Sequence, residues 1–354
     1  MNDSALRTLL LPFAEESLVV PEKGDVLFLN ARAGVDIPFS PPVCTQFWKG
    51  EADALVAGGM TVADHDPAAD SYDVVLVLPG KGRDEACFDL AQAFRAARPG
   101  ALVVGAAENA GGAGRLQGFL ERLGTETSGL SKHKCRVFWT RKPEYGEEET
   151  ALLEAWLALG RPSPVPGTDL LSRPGLFSWD RIDPGSRLLV DSLVKAAQDG
   201  QELKGNGADL GCGYGFLSEA ALRLFDRTAV EAIDADRRAE NVIVCNLAKY
   251  AEQGRASFRW HDIEQGLPVR RYDWIVSNPP FHEGRRTRAS LGAAFIVNAA
   301  AALKPGGVFW MVANRHLPYE KIMDVSFAEW ECAAERDGFK VFRGKAGRHG
   351  RARA

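Results

Sequence analysis

The stretch Tyr272-Asp273-Trp274-Ile275-Val276-Ser277-Asn278-Pro279-Pro280-Phe281 decides the fold. Its first half is an apolar run that reads as a buried strand, and the two prolines, which lack a ladder N–H, end it. Some sixty residues upstream stands a glycine-rich turn, Asp209-Leu210-Gly211-Cys212-Gly213-Tyr214-Gly215. A short strand closing at Asp209-Leu210, this turn, and an apolar helix over 216–225 make the strand–turn–helix entry of a doubly wound α/β sheet.

The tetrapeptide Asn278-Pro279-Pro280-Phe281 carries the chemistry. An exocyclic amine on a nucleobase is a poor nucleophile because its lone pair is delocalised into the ring. Asn278 offers a side-chain carbonyl and Pro279 a backbone carbonyl, so both N–H bonds of such an amine can be gripped at once. The prolines restrict the backbone around both acceptors and so preorganise them. Phe281 provides a face on which an extruded base can stack. No strong general base is needed, since a methylated amine is acidic enough to lose its proton to water.

Two acids complete a crevice. Asp234 closes the apolar run Ala229-Val230-Glu231-Ala232-Ile233, where a carboxylate meets the ribose hydroxyls of an adenosyl ligand. Asp262 closes Ser257-Phe258-Arg259-Trp260-His261 and is placed to accept from an adenine amino group. Glycines, acid, acid and Asn-Pro-Pro-Phe then follow one another along the carboxyl edge of one sheet, where such folds bind ligands.

These residues resemble the class I S-adenosylmethionine-dependent methyltransferases, and among them the bacterial ribosomal RNA guanine-2-amino methyltransferases of the RsmC and RlmG type. The resemblance spans most of the chain. It is strongest in Pro174-Gly175-Leu176-Phe177-Ser178 with Ile182-Asp183-Pro184-Gly185-Ser186, in the glycine turn, in Ser277 to Gly284, and in Val312-Ala313-Asn314-Arg315-His316-Leu317-Pro318-Tyr319. It implies S-adenosylmethionine as cofactor, with Asp209, Gly211, Gly213 and Gly215 as the methionine-side loop, Asp234 at the ribose and Asp262 at the adenine. It further implies Asn278, Pro279 and Phe281 as amine grip and stacking platform, a segment from Phe177 to Ser186 flanking the methionine moiety, and a guanine of small-subunit 16S rRNA as substrate. Large-subunit 23S rRNA is an alternative substrate. Related Asn-Pro-Pro motifs also occur in enzymes acting on adenine in DNA and on glutamine in protein, and a silent RNA-binding assembly factor would keep the same fold.

The chain repeats itself. Tyr72-Asp73-Val74-Val75-Leu76-Val77-Leu78-Pro79-Gly80-Lys81 parallels the stretch from Tyr272, and Arg98-Pro99-Gly100 parallels Lys304-Pro305-Gly306. The expected architecture is therefore two tandem class I methyltransferase domains, the first degenerate. Residues 1–160 form the degenerate copy, suited to RNA docking or stabilisation, and the Pro-rich stretch 161–175 reads as a semi-rigid linker. Residues 176–345 form the catalytic domain and 346–354 a basic tail. The first copy has Leu78-Pro79-Gly80-Lys81 in place of the catalytic tetrapeptide and one glycine in Leu29-Asn30-Ala31-Arg32-Ala33-Gly34, so it is expected to bind no cofactor. Fused duplicates can pair within one chain, so a monomer is expected.

With 354 residues and 45% hydrophobic content the chain can fill two cores, and no apolar run reaches membrane-spanning length. The start, Met1-Asn2-Asp3-Ser4, lacks the charge and apolar core of a secretory signal. Six scattered cysteines without a C-x-x-C pair argue against a zinc site or disulfide framework and fit a cytoplasmic protein without metal. A net charge of −4 excludes a generally basic RNA-coating protein, so phosphate contacts must be local. Arg285, Arg286 and Arg288 follow the catalytic loop directly and are the candidate RNA contacts. Further basic clusters are Lys132, His133, Lys134 and Arg136, and Arg343, Lys345, Arg348, Arg351 and Arg353. His282 reads as a structural or phosphate-contacting residue, Cys212 as a packing residue, and Ser186 as the cap of a helix over 187–197.

Overall fold

The computed structural model of the chain describes residues 3–19, 24–35, 37–38, 41–280 and 288–347. Phe281, His282, Arg285, Arg286, Arg348, Arg351 and Arg353 lie outside the described residues, as does the side chain of Arg288. The chain divides into two compact units, 1–161 with 173–175, and 162–172 with 176–354.

The first unit contains α1 (Ser4–Leu9), α2 (Leu11–Ala14), β1 (Val26–Leu29), β2 (Val43–Cys44), α3 (Lys49–Ala57), β3 (Thr61–Val62) and β4 (Tyr72–Val77). It continues through α4 (Arg83–Ala96), β5 (Ala97–Glu108), α5 (Ala113–Leu123), β6 (Ser128–Lys132), β7 (Cys135–Arg141) and α6 (Glu147–Ala158). The second opens with two short strands, β8 (Ser163–Pro164) and β9 (Leu171–Ser172), then α7 (Pro184–Gln198), β10 (Gly205–Leu210), α8 (Phe216–Leu224) and β11 (Thr228–Asp234). After α9 (Arg238–Asn246), α10 (Ala248–Ala251), β12 (Ala256–Trp260) and β13 (Tyr272–Ser277) come α11 (Arg288–Ala302), β14 (Leu303–Asn314), α12 (Glu320–Ser326), β15 (Glu329–Arg336) and β16 (Phe339–Lys345).

The sheets run β3-β2-β1-β4-β5-β7-β6 and β12-β11-β10-β13-β14-β16-β15, the same order twice. In each, the first five strands are parallel and the last two pairings antiparallel. Strand order reverses beside β1 and β10, which makes a crevice at the β10–β13 junction. The sequence echo has a physical basis at the opposite edge. Asp73 accepts the Asp25 N–H (2.9 Å) and pairs with Arg98 (2.7 Å). Asp273 accepts the Asn206 N–H (2.9 Å) and pairs with Lys304 (2.8 Å). Each aspartate thus ties the start of its strand both to the neighbouring strand and to the cation of the following X-Pro-Gly turn.

Alternation along the strands separates two cores in the second unit. Trp274 and Val276 pack with α7, α8 and α9, whereas Ile275 packs with Phe295, Ile296 and Tyr319 on the other face. Continued by two residues, that alternation puts Asn278 on the α7 face.

Strand pairing equates the crevices of the two units. Leu29 opposes Val77 as Leu210 opposes Ser277, so Asn30 stands for Gly211, Arg32 for Gly213 and Leu78 for Asn278. In the first unit polar side chains fill this place. The Asn30 amide, at a left-handed φ of 54°, donates to Leu78 O (3.2 Å) and Asp89 (2.9 Å), and Asp89 also accepts the Gly80 N–H (2.9 Å). Arg32 pairs with Asp3 (2.9 Å), the residue that caps α1.

Where the sequence reads a linker over 161–175, β8 and β9 pair and Val165 and Leu170 are buried against the second unit's Tyr214 and Val242. The reason is local, because a turn closed by Thr168 brings the two strands back on each other. Arg343 and Lys345, read with the basic C-terminal cluster, are in β16; Arg343 pairs with Glu331 (2.9 Å) and stacks on Trp310.

Because side chains bridge the first unit's crevice, calorimetric titration with S-adenosylmethionine is expected to give one site per chain. A second site would contradict the closure by Asn30, Asp89 and Arg32.

Candidate active site

Four parallel strands set the site. Leu210 pairs with Ser277 on one side and Ile233 on the other, and Asp234 pairs with Trp260. The residues that follow these strands therefore emerge at one level. The Ser277 hydroxyl donates to Leu210 O (2.8 Å) and seals the β10–β13 junction from which Gly211 and Asn278 both leave.

The glycine turn is braced from beneath by an acid. Gly211, Gly213 and Gly215 have φ of 73°, 53° and 88°, and Gly213 N–H donates to Asp234 Oδ2 (2.8 Å). A side chain at Gly213 would meet nothing within 4 Å, so the backbone there borders open space that a ligand can approach. The other Asp234 oxygen accepts the Asp236 N–H (2.8 Å). Asp236 in turn forms a buried ion pair with Arg238 (2.7 Å), which fixes the loop after β11.

Asp209 lies on the face that meets α8. Ser218 donates to its Oδ2 (2.7 Å), while Oδ1 is buried without a partner among the described residues. Burial pushes Asp209 up to about 7, with neighbouring Asp234 adding to the rise, and burial followed by Asp236 pushes Asp234 up to about 6. Cys212 packs in the same core, its thiol pushed well up by burial. Asp262 is half-buried and accepts the Glu264 N–H (3.0 Å), so it starts a short 3₁₀ turn at the end of β12.

The segment before α7 is laid over the glycine turn. Tyr214 packs among Val165, Leu170 and Leu176 and donates to Arg181 O (3.4 Å). Asn246 bonds Leu171 N–H and C=O (both 2.8 Å) and Tyr214 O (2.7 Å), binding β9 to the turn. The path delivers Asp183 and Ser186 to Asn278. The Asn278 amide donates to Asp183 Oδ2 (2.9 Å) and Ser186 Oγ (2.8 Å), and its Oδ1 is buried without a partner among the described residues. A Cβ at position 185 would fall 2.9 Å from the Phe339 ring and 3.0 Å from Asp183, so only glycine permits this approach.

Ser186 therefore is not the helix cap that sequence spacing suggested. Asp183 caps α7 by accepting the Ser186 N–H (2.8 Å), because α7 begins at Pro184, which suits the first helical position. Asp183 and Asn246 are site residues that sequence reading left without a role of their own, and Ser186 was read only as a helix cap. The D-P-x-S pattern is a capping signal, but nothing in it points to a residue 95 positions away.

The site thus holds an amide oxygen, a buried aspartate oxygen and an open glycine backbone along one sheet edge. Residues 167–343 match the family model described as methyltransferase small domain. Relatives named ribosomal RNA small subunit methyltransferase C include that of Pectobacterium atrosepticum, 30% identical over 81% of this chain and 78% of the relative. The chain belongs to this methyltransferase family. The counterpart from Salmonella newport is 30% identical over 82% of this methyltransferase and 78% of its own length, and that from Alcanivorax borkumensis 32% identical over 65% and 68%. Among solved structures, the T. thermophilus 16S rRNA N2 G1207 methyltransferase (RsmC) in complex with AdoMet and guanosine shares the fold with a TM-score of 0.78. It is 23% identical and the match covers 97% of this chain and 92% of that one. No helix among the described residues of this methyltransferase is long and apolar enough to cross a membrane.

The raised acids have a consequence for stability. Each binds a proton more readily in the folded than in the unfolded chain, so their contribution is complete below about 4 and is lost as pH rises through about 6 and about 7. Urea unfolding of the ligand-free protein is expected to show stability declining across this window. Asp209→Asn keeps an acceptor for Ser218 but cannot ionise, and should flatten the decline. An unchanged slope would remove Asp209 as its source.

Proposed function

We propose that this methyltransferase transfers the methyl group of S-adenosylmethionine to the 2-amino group of a guanine in 16S rRNA. The observation that carries the reading is Asn278, whose two amide hydrogens are both engaged and whose buried Oδ1 is left as a pure acceptor. The names of the relatives, ribosomal RNA small subunit methyltransferase C, favour the small-subunit substrate.

The residues present fit the cofactor. S-adenosylmethionine, when bound, supplies an electrophilic methyl. Gly211, Gly213 and Gly215 would admit it closely, Asp234 would accept from its ribose hydroxyls, and Asp262 from its adenine amine. The buried oxygen of Asp209 and the carboxylate of Asp234 give this edge a negative character that suits a cation.

On the substrate side, Asn278 Oδ1 and the backbone carbonyl of Pro279 accept the two N–H bonds of the amine and hold its lone pair out of conjugation. Acceptors that need no rearrangement lower the barrier without a general base. After transfer the acidic ammonium loses its proton to water. Phe281 would stack on the flipped base, with Arg285, Arg286 and Arg288 near its phosphates.

The test is methyl transfer from radiolabelled S-adenosylmethionine to small subunits, large subunits, naked rRNAs and DNA, followed by nucleoside analysis. Labelled 2-methylguanosine confined to 16S rRNA is the expected product; label on DNA or protein would sink the reading. Asn278→Ala is expected to lower kcat by about 10²–10³-fold, the scale for one preorganised hydrogen-bonding group, with cofactor binding retained. Asp234→Ala should weaken cofactor affinity first, and an unchanged Kd would exclude Asp234 from the binding site.

A further inference from the structure

We infer that Asp183 is a positioning residue, which orients the Asn278 amide so that its oxygen, and not its nitrogen, faces the substrate amine. The inference rests on the methyl-transfer reading above.

An asparagine can present either end of its amide, and only its partners decide which. Here the decision is forced. Asp183 Oδ2 already accepts the Ser186 backbone N–H, so the Asn278 group 2.9 Å from the same oxygen is the NH2. The second amide hydrogen goes to Ser186 Oγ at 2.8 Å. Asp183, Ser186 and Asn278 are only 8%, 9% and 8% exposed, so water cannot substitute for these partners. Flipping the amide would set its oxygen against the carboxylate and turn two N–H donors toward an amine that is itself a donor. Both contacts would be repulsive.

The acid is itself held in place. The same Asp183 Oδ2 accepts the Ser186 N–H (2.8 Å), so one oxygen both starts α7 and sets the Asn278 rotamer. Pro184 fixes the first helical position and Gly185 lets the segment lie against Phe339. Donating its N–H bonds to Asp183 and Ser186 also shifts electron density of the amide toward Oδ1, which makes it a better acceptor for the substrate amine.

A helix cap alone would give Asp183 a merely structural role, and two substitutions separate the roles. In Asp183→Asn the side-chain oxygen still reaches both the Ser186 N–H and the Asn278 amide. In Asp183→Ser the shorter hydroxyl still caps α7 but no longer reaches Asn278. The experiment measures kcat on the rRNA substrate, Kd for S-adenosylhomocysteine by calorimetry, and Tm, in the full chain. Asp183→Asn should keep most of the turnover. Asp183→Ser should lose about 10²-fold in kcat, the scale for displacing one preorganised group, with Kd close to that of the parent and a modestly lower Tm, because one buried Asn278 N–H loses its partner. Near-parental kcat in Asp183→Ser, or a Kd that rises in step with the loss of kcat, would overturn the positioning role. If the parent protein binds cofactor yet methylates no guanine, the underlying reading fails. If the parent is active, Asn278→Ala inactive and Asp183→Ser fully active, only the positioning role fails.

Discussion

The pairing of β10 with β13 is the constraint on which the site depends. Leu210 and Ser277 sit opposite each other, so the glycine turn and Asn278 leave the sheet side by side. Side chains alternate along a strand, so a slip of one residue would turn Asn278 from the α7 face to the α11 face. The register is held by side chains that cannot exchange faces: Trp274 and Val276 fill one core and Ile275 the other. At the far end Asp273 ties the strand start to Asn206 and Lys304. Burial at the base of the sheet thus sets geometry at its top.

Function in this molecule opposes ease of folding. Three acids, Asp209, Asp234 and Asp236, crowd beneath the glycine turn, and the buried Arg238 pairs with Asp236. An aspartate oxygen and an amide oxygen are left buried without partners among the described residues, each an arrangement that costs roughly 1–3 kcal/mol in a folded protein. Such groups are tolerated where a ligand completes them. A cation and an amine bound there would satisfy what the polypeptide alone leaves unmet, and so would stabilise the folded chain.

The duplicated unit supplies an internal comparison. It keeps the strand order, the aspartate at the start of the fourth strand and its basic partner, all of which serve the sheet. At the crevice it differs, with Asn30 bridging to Asp89 and Leu78. Fold and site are separable because they occupy opposite edges of the same strands.

Much was legible in the chain itself. Apolar runs closed by Asp209-Leu210, Asp234, Asp262 and Ser277 mark four strands, and the glycines between positions 211 and 215 mark the turn that follows the first. Local rules suffice for these, since periodicity and φ preference act over a few residues. The repeated Tyr-Asp and Pro-Gly motifs likewise announced the duplication. Three-dimensional packing decided the rest. That 162–172 would fold back as β8 and β9, that Arg343 would be spent on Glu331 and Trp310, and that Asp183 would reach Asn278 all depend on partners distant along the chain. The sequence names the amide that can hold an amine; only the sheet and the helix packed on it determine which end of that amide is left to accept a hydrogen bond, because orientation is settled by the hydrogen-bonding character of the neighbours brought to it.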